Sequence, residues 1–138
     1  MNLVYEDVLT KLQNAVDGVL DGVLTHEDFD EILDTFRVNV EEDRLRAESE
    51  ILFESSEAVG IYREHYREGT GKFLEGISEM SEYLRHFKPG DSHGSQCLFL
   101  PQEHLTQGLV TASAGLANLK LSRGFAKTAE KRAQKGAR

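Results

Sequence analysis

Apolar side chains recur every three or four residues at the start of the chain, and this spacing predicts an amphipathic helix from Leu3 to Leu20. Its apolar positions are Val4, Val8, Leu9, Leu12, Ala15, Val16 and Val19. Gly22 suits a helix C-terminus, and Thr25 followed three residues later by Asp28 resembles a capping box. We therefore expect a short turn between two neighbouring helices.

The next apolar stripe begins after His26 and meets no strong helix breaker before Gly69. It contains Phe29, Ile32, Leu33, Phe36, Val40, Ala47, Ile51, Ala58, Ile61, Tyr62 and Tyr66. The pattern predicts one continuous central helix over about residues 26–68, which would be about 65 Å long. A kink is the alternative, at Val38-Asn39-Val40, at Ser55-Ser56 or at Gly60.

A third helix is predicted from Lys72 to Phe87, and Pro89-Gly90 closes it. Residues 88–101 are predicted to form a loop. Within this loop, Cys97-Leu98-Phe99-Leu100 is apolar, and we expect it to fold back onto the bundle.

A fourth helix is predicted to follow Pro101, because proline favours the first turn of a helix. Its apolar residues form two rows. One row is Leu105, Leu109, Ala112, Leu116 and Leu119, and the other is Val110, Ala114, Ala117, Leu121 and Phe125. A helix that is apolar on two faces requires two packing partners, and Gly108, Ala112 and Gly115 would allow close approach of one of them.

Together these elements predict an all-α fold, an elongated bundle of about four helices with one long central helix. The predicted domain covers residues 1–126, and residues 127–138 are predicted to be a basic, flexible tail. A chain of 138 residues with 39% hydrophobic and 29% charged side chains suits one globular domain. We expect it to be soluble and cytoplasmic, because no signal peptide or membrane span is recognisable and Cys97 stands alone.

Charge is distributed unevenly along the chain. Residues 1–87 carry a net charge of −13, whereas residues 88–138 carry +5. One interpretation is that the acidic faces keep the helical bundle in solution and the basic end is a solvated tail. The other is that the two oppositely charged ends steer partners or neighbouring subunits. The basic end contains Lys127, Lys131 and Arg132, which are candidate docking residues for an acidic protein surface.

The segment from Asp17 to Asp28 resembles an EF-hand calcium loop, with flanking helices, over about 30 residues. The loop positions that match are Asp17 (first), Asp21 (fifth), Gly22 (sixth), Leu24 (eighth) and Asp28 (twelfth). Val19 departs from the pattern because it offers no side-chain oxygen at the third position. The alternative interpretation is a helix C-terminus followed by a helix cap, which requires no ion.

Other candidate chemistry is sparse in the sequence. The paired Glu-x-x-His motifs of two-iron bundles are missing, although Glu82 and His86 share a helix face. Cys97 with His93 and His104 nearby could form an activated nucleophile, but its apolar neighbours favour a buried structural cysteine. We therefore predict no enzyme activity, no catalytic residues, no bound metal and no cofactor.

The function predicted from the sequence is a non-enzymatic helical interaction module, such as a scaffold, adaptor or assembly subunit, that self-associates. Its candidate interaction residues are Leu109, Ala112, Leu116, Leu119, Lys127, Lys131 and Arg132. One alternative is a bundle that binds a small ligand or a metal around Tyr62, His65, Tyr66 and His86. Another is a regulator linked to nucleic acid through its acidic face or basic tail. Protein partners are favoured, and no membrane partner is expected.

Overall fold

The computed structural model describes residues 3–51 and 57–136, with side chains at 3–49 and 60–124. Five helices cover most of this range: α1 (Tyr5–Leu20), α2 (His26–Ile51), α3 (Glu57–Arg85), the single-turn α4 (His93–Gln96) and α5 (Pro101–Gly136). The described ranges contain no strand. The predicted all-α bundle is confirmed, and it has a long central helix, α3, packed between α2 and α5 rather than the helix predicted over 26–68.

The turn between α1 and α2 is a pair of helix caps. Gly22 has a φ of 76°, and the Val23 amide donates a hydrogen bond to the Gly18 carbonyl at 2.9 Å, which ends α1 in a Schellman motif. At the start of α2, the Asp28 amide donates to the Thr25 hydroxyl at 3.0 Å, and the Thr25 amide donates to the Asp28 carboxylate at 3.3 Å. The predicted capping box is therefore confirmed.

The chain reverses direction between α2 and α3. The Tyr66 hydroxyl donates a hydrogen bond to Asp43, and the His26 ring lies 5.5 Å from the Tyr83 ring, so the two helices run antiparallel. The prediction of one continuous helix over 26–68 is wrong in this respect. Doubling back buries the apolar stripe of α2 within the chain, which a straight helix would leave exposed. The candidate weak point Ser55-Ser56 falls within 52–56, outside the described residues.

Helix α3 also continues where the sequence suggested a break. It passes through Gly69-Thr70-Gly71 without interruption and ends at Arg85. Thr70 is fully buried, and its hydroxyl donates to the Tyr66 carbonyl one turn earlier at 2.9 Å. The packing of this segment against its neighbours outweighs the low helix propensity of glycine.

Two pairs of facing glycines bring α3 and α5 into close antiparallel contact. A Cβ atom built on Gly76 would lie 2.5 Å from the Gly108 carbonyl oxygen, and one built on Gly115 would lie 2.6 Å from the Gly69 carbonyl oxygen. The pairs are seven residues apart on each helix, so they lie on the same face. The predicted close approach at Gly108 and Gly115 is confirmed, and it fixes the relative position of the two helices.

The two apolar rows of α5 have different surroundings. In the first row, Ala112 and Leu119 are buried, and Leu109 and Leu116 are half-buried and packed against the core. Helix α3 provides most of this cover, so the row does not require a second chain. The second row is exposed at every position whose side chain is described: Val110, Ala114, Ala117 and Leu121.

The backbone of α5 remains helical through Gly136, beyond the domain boundary predicted at residue 126. The side chains of Lys127, Lys131 and Arg132 lie outside the described part of the chain, so their proposed docking role stays a prediction. In the range that the structure covers, no helix combines the length and apolar character needed to cross a membrane.

Candidate metal centre

One end of the bundle carries a compact connection between α3 and α5. The connection turns at Gly90, which has a φ of 80°, and continues into α4. Asp91 ties it to α3, because its carboxylate accepts hydrogen bonds from Arg85 at 3.1 and 3.3 Å and from the His93 amide at 2.9 Å. Gly94 allows α4 to lie against the end of α3, since a Cβ atom there would be 3.1 Å from the His86 carbonyl oxygen.

Helix α5 then begins at Pro101 with a defined cap. The Leu100 amide donates a hydrogen bond to the Glu103 carboxylate at 3.1 Å, which is the returning half of a capping box. His104 therefore lies in the first turn of α5, directed towards the last turns of α3. It is buried, with 4% of its surface exposed.

Four side chains from this end of the bundle converge on one point: His86, His93, Cys97 and His104. One ligand atom from each lies within 4.8 Å of the others. His104 Nε2 is central, at 3.0 Å from His86 Nε2, 3.4 Å from His93 Nε2 and 3.4 Å from Cys97 Sγ. Elsewhere in the described residues, no other group of three or more histidine, cysteine or acidic side chains converges in this way.

The three distances from His104 Nε2 are close to those between the ligands of a tetrahedral zinc ion. Bonds of about 2.0–2.1 Å to nitrogen and about 2.3 Å to sulfur place neighbouring ligand atoms about 3.3–3.6 Å apart. The three distances from His104 Nε2 lie between 3.0 and 3.4 Å. Binding of a tetrahedral ion would therefore move His86 Nε2 slightly away from His104 Nε2 and draw together the ligand atoms that lie up to 4.8 Å apart.

Two glutamates of α3 orient the histidines from outside the cluster. His104 Nδ1 lies 2.7 Å from Glu79 Oε1, and His93 Nδ1 lies 3.2 Å from Glu82 Oε2. In a neutral imidazole whose Nδ1–H donates a hydrogen bond to the carboxylate, Nε2 carries a lone pair directed into the cluster. In that tautomer, His93 Nε2 and His104 Nε2 both offer lone pairs to the cluster, and a metal cation or a shared proton would accept them. Carboxylates in this outer position are a regular feature of histidine metal sites.

The surroundings of His86 favour its neutral imidazole. Burial, followed by the neighbouring rings of His93 and His104, lowers the pKa of His86 below its ordinary value. Metals bind the neutral form of histidine, so the lowered pKa of His86 is compatible with a role as metal ligand.

The segment after Cys97 does not fold back as expected from its apolar character. Leu98 is 99% exposed, Phe99 61% and Leu100 57%, and only Cys97 is directed inward. The Phe99 ring reaches the His104 ring, with 5.9 Å between centroids. Cys97 is therefore held by the polar cluster rather than by an apolar core.

The cluster also contains the parts of an activated cysteine. Cys97 Sγ lies 3.4 Å from His104 Nε2, and Glu79 holds the other nitrogen of the same ring at 2.7 Å. A thiol, a base and an orienting carboxylate in this order can form a nucleophile. His86 and His93 are not needed for that chemistry, yet both point to the same place.

Sequence reasoning named all four residues but did not combine them. The sequence pattern pairs Cys97 with His93 and His104 as a nucleophile with its bases, and it places His86 beside Glu82 on one helix face. The available signal was the concentration of three histidines and the single cysteine within residues 86–104. A search for paired motifs on one helix could not find ligands that come from three separate elements.

The structure does not assemble the other candidate sites of the sequence. The Asp28 carboxylate of the EF-hand-like loop is used in the cap of α2, and Asp17 accepts a hydrogen bond from Gln13 within α1. Tyr66 stacks with Tyr62 at 5.8 Å, but His86 lies about 30 Å further along from it at the rise of an α-helix. The pocket expected around these residues is therefore not formed as one site.

Comparisons of the chain with protein-family models, with curated proteins and with solved structures find no match.

Proposed function

We propose that this protein binds a transition metal ion, with Zn²⁺ as the preferred ion, through His86, His93, Cys97 and His104. The observation that carries the proposal is the convergence of four ligand atoms within 4.8 Å of one another. Mixed thiolate and imidazole ligands in a four-coordinate arrangement suit zinc better than calcium or magnesium, which prefer oxygen.

The ion has a structural role in this proposal. Four protein ligands fill a tetrahedral site and leave no open position for a substrate. Residues 87–103 include no buried side chain, so this connection has little apolar surface to hold it on the bundle. A metal bound by His86 just after α3, by His93 and Cys97 at the two ends of α4, and by His104 in α5 would fasten the connection at both ends.

Convergence also favours metal binding over cysteine catalysis. A nucleophile requires only Cys97, His104 and Glu79, whereas the arrangement brings two further imidazoles to the same point. The Glu82 contact to His93 would be superfluous for a thiol nucleophile but orients a ligand.

The test is metal binding by purified protein, with Co²⁺ as a spectroscopic probe for the zinc site. We expect one ion per chain and a thiolate-to-metal absorption band that disappears in Cys97→Ser. His104→Asn should lose at least tenfold in affinity, because it removes the central ligand. His26→Gln is the matched control, since His26 is an exposed histidine outside the cluster.

Failure of the wild-type protein to bind Zn²⁺ or Co²⁺ stoichiometrically would overturn the metal proposal. Unchanged affinity in His104→Asn would overturn it as well. Rapid alkylation of Cys97 in a protein that binds no metal, slowed in Glu79→Gln, would instead identify the nucleophile.

A second candidate function is the non-enzymatic assembly protein suggested by the sequence. The observation that favours it is the exposed row on α5, in which Val110 is 58% and Leu121 53% exposed. A structural metal is compatible with this role. The solution mass of the purified protein tests it, since a self-associating protein exceeds the mass of one chain.

A further inference from the structure

We propose that the exposed face of α5 pairs with the same face of a second copy of this chain, in antiparallel orientation about a two-fold axis. The proposal rests on the second candidate function, assembly through helix faces, and it specifies the partner, the surface and the orientation. It does not depend on the metal site.

The exposed face has the spacing of a helix-packing seam. Gln107, Val110, Ala114, Ala117 and Leu121 follow one another at intervals of three and four residues, and all are exposed. This spacing places them in one row along the helix, as at the a and d positions of a coiled coil. The opposite face of α5 is already packed on α3, so the row has no cover from that helix.

The size of the side chains along the row suits pairing with itself. Alanines at 114 and 117 lie at its centre, and larger residues, Val110 and Leu121, lie on either side. In an antiparallel pair centred between the two alanines, Val110 of each copy lies opposite Leu121 of the other copy. Small residues at the centre allow two helices to approach closely, as the glycine pairs do between α3 and α5.

The distribution of charge along the sequence of α5 favours an antiparallel orientation. Residues 101–113 of α5 carry a net charge of −1, whereas residues 114–136 carry +5. A parallel pair would place the two basic halves side by side, with Lys120 near its own copy. An antiparallel pair places each basic half beside the weakly acidic half that begins near Glu103, and it also opposes the helix dipoles.

Sedimentation of the full-length protein tests the surface. We expect a dimer for wild type and a twofold drop in mass for the double variant Val110→Glu/Leu121→Glu, with unchanged helix content. Leu45→Glu is the matched control, because Leu45 is 68% exposed on α2 and should leave the dimer intact. A wild-type monomer at the highest concentration reached, or a variant that remains dimeric, would overturn the proposal.

Cross-linking through introduced cysteines tests the orientation. Gln107→Cys and Gly124→Cys lie near opposite ends of the row, and a Cβ atom at Gly124 meets nothing within 4 Å. We expect a short bis-maleimide to join the two variants when they are mixed, and neither variant to itself. Self-linking of each variant would show a parallel pair and overturn the antiparallel arrangement. Wild type, with Cys97 only, measures the background.

These results can be separated from those on the metal. If the protein binds no Co²⁺ but is still a dimer in the presence of a chelator, the pairing is supported and the metal proposal fails. If the protein is a monomer that binds one Co²⁺ per chain, the metal proposal is supported and the pairing fails.

Discussion

At the scale of single residues, the best-defined polar group in the core is Asp43. Its carboxylate accepts hydrogen bonds from the Tyr5 hydroxyl at 2.7 Å, from the Tyr66 hydroxyl and from the Arg46 guanidinium at 2.7 Å. Burial by itself would raise the pKa of Asp43, but these three donors together lower it below the ordinary value. The carboxylate therefore remains charged and joins α1, α2 and α3 at the end of the bundle opposite the metal cluster.

Replacing Asp43 by asparagine should destabilise the fold by about 1–3 kcal/mol, because two tyrosine hydroxyls and a guanidinium lose a charged acceptor. Chemical denaturation followed by circular dichroism measures the difference. Asp34→Asn is the control: Asp34 pairs with Arg37 on the surface and should change stability by less than about 0.5 kcal/mol. Equal effects of the two substitutions would contradict the role given to Asp43.

The Asp43 carboxylate also makes the free energy of unfolding depend on pH. Because the folded-state pKa of Asp43 is lowered, its contribution is fully present above the unfolded-state pKa of about 3.9 and is lost as the pH falls through the folded-state pKa. The stability difference between wild type and Asp43→Asn should therefore narrow on acidification below about pH 4. Denaturation of both proteins over a series of pH values measures this. A difference that stays constant into strong acid would contradict the prediction.

At the scale of secondary-structure elements, the contact between α3 and α5 depends on glycines that are not interchangeable. Gly76 faces the backbone of α5, while a Cβ atom on Gly71 of the same helix meets nothing within 4 Å. Both positions lie inside α3, where glycine costs helix stability relative to alanine. Only the packing of the neighbouring helix separates their roles.

The two glycines provide a matched pair of substitutions. Gly76→Ala should destabilise the protein by about 1–3 kcal/mol, because the new methyl group would collide with the Gly108 carbonyl. Gly71→Ala should stabilise it by about 0.5–1 kcal/mol through helix propensity alone. Thermal or chemical unfolding of both variants measures the contrast. Stabilisation by both would show that α3 and α5 are further apart than the structure places them.

At the scale of the whole molecule, the two ends of the bundle are held by different means. The Asp43 end is tied by hydrogen bonds within the core, whereas the connection over residues 87–103 has no buried side chain. In the proposed function, a metal takes the place of a core there. Loss of the metal should therefore loosen one end and leave the rest of the fold.

Metal removal should produce a local change. We expect chelation to accelerate proteolysis and hydrogen exchange within residues 87–103, while the exchange of α1–α3 changes little. Free Zn²⁺ at about 100 times its Kd should stabilise the protein by about 2.7 kcal/mol. Without any chelator, the Cys97→Ser variant should show the same proteolysis and hydrogen exchange within residues 87–103 as the chelated wild-type protein. Identical exchange with and without metal would show that the ion does not fasten the connection.

The sequence by itself determined what depends on neighbouring residues. The spacing of apolar positions predicted helices throughout, and the first turn was predicted in detail because Gly22, Thr25 and Asp28 act on backbone groups a few residues away. The close approach of α5 was visible in Gly108 and Gly115, since only small residues permit it.

Tertiary structure alone decided which faces meet. The stripe of residues 26–68 is equally consistent with a straight helix and with two antiparallel helices, and only packing against α3 and α1 selects the second. Packing of α5 on α3 covers one row of α5 and leaves Val110 and Leu121 exposed. His104 meets His86 only because the α3–α5 contact brings the two helix ends together. Each of these depends on contacts between residues far apart in the chain, which local periodicity does not encode.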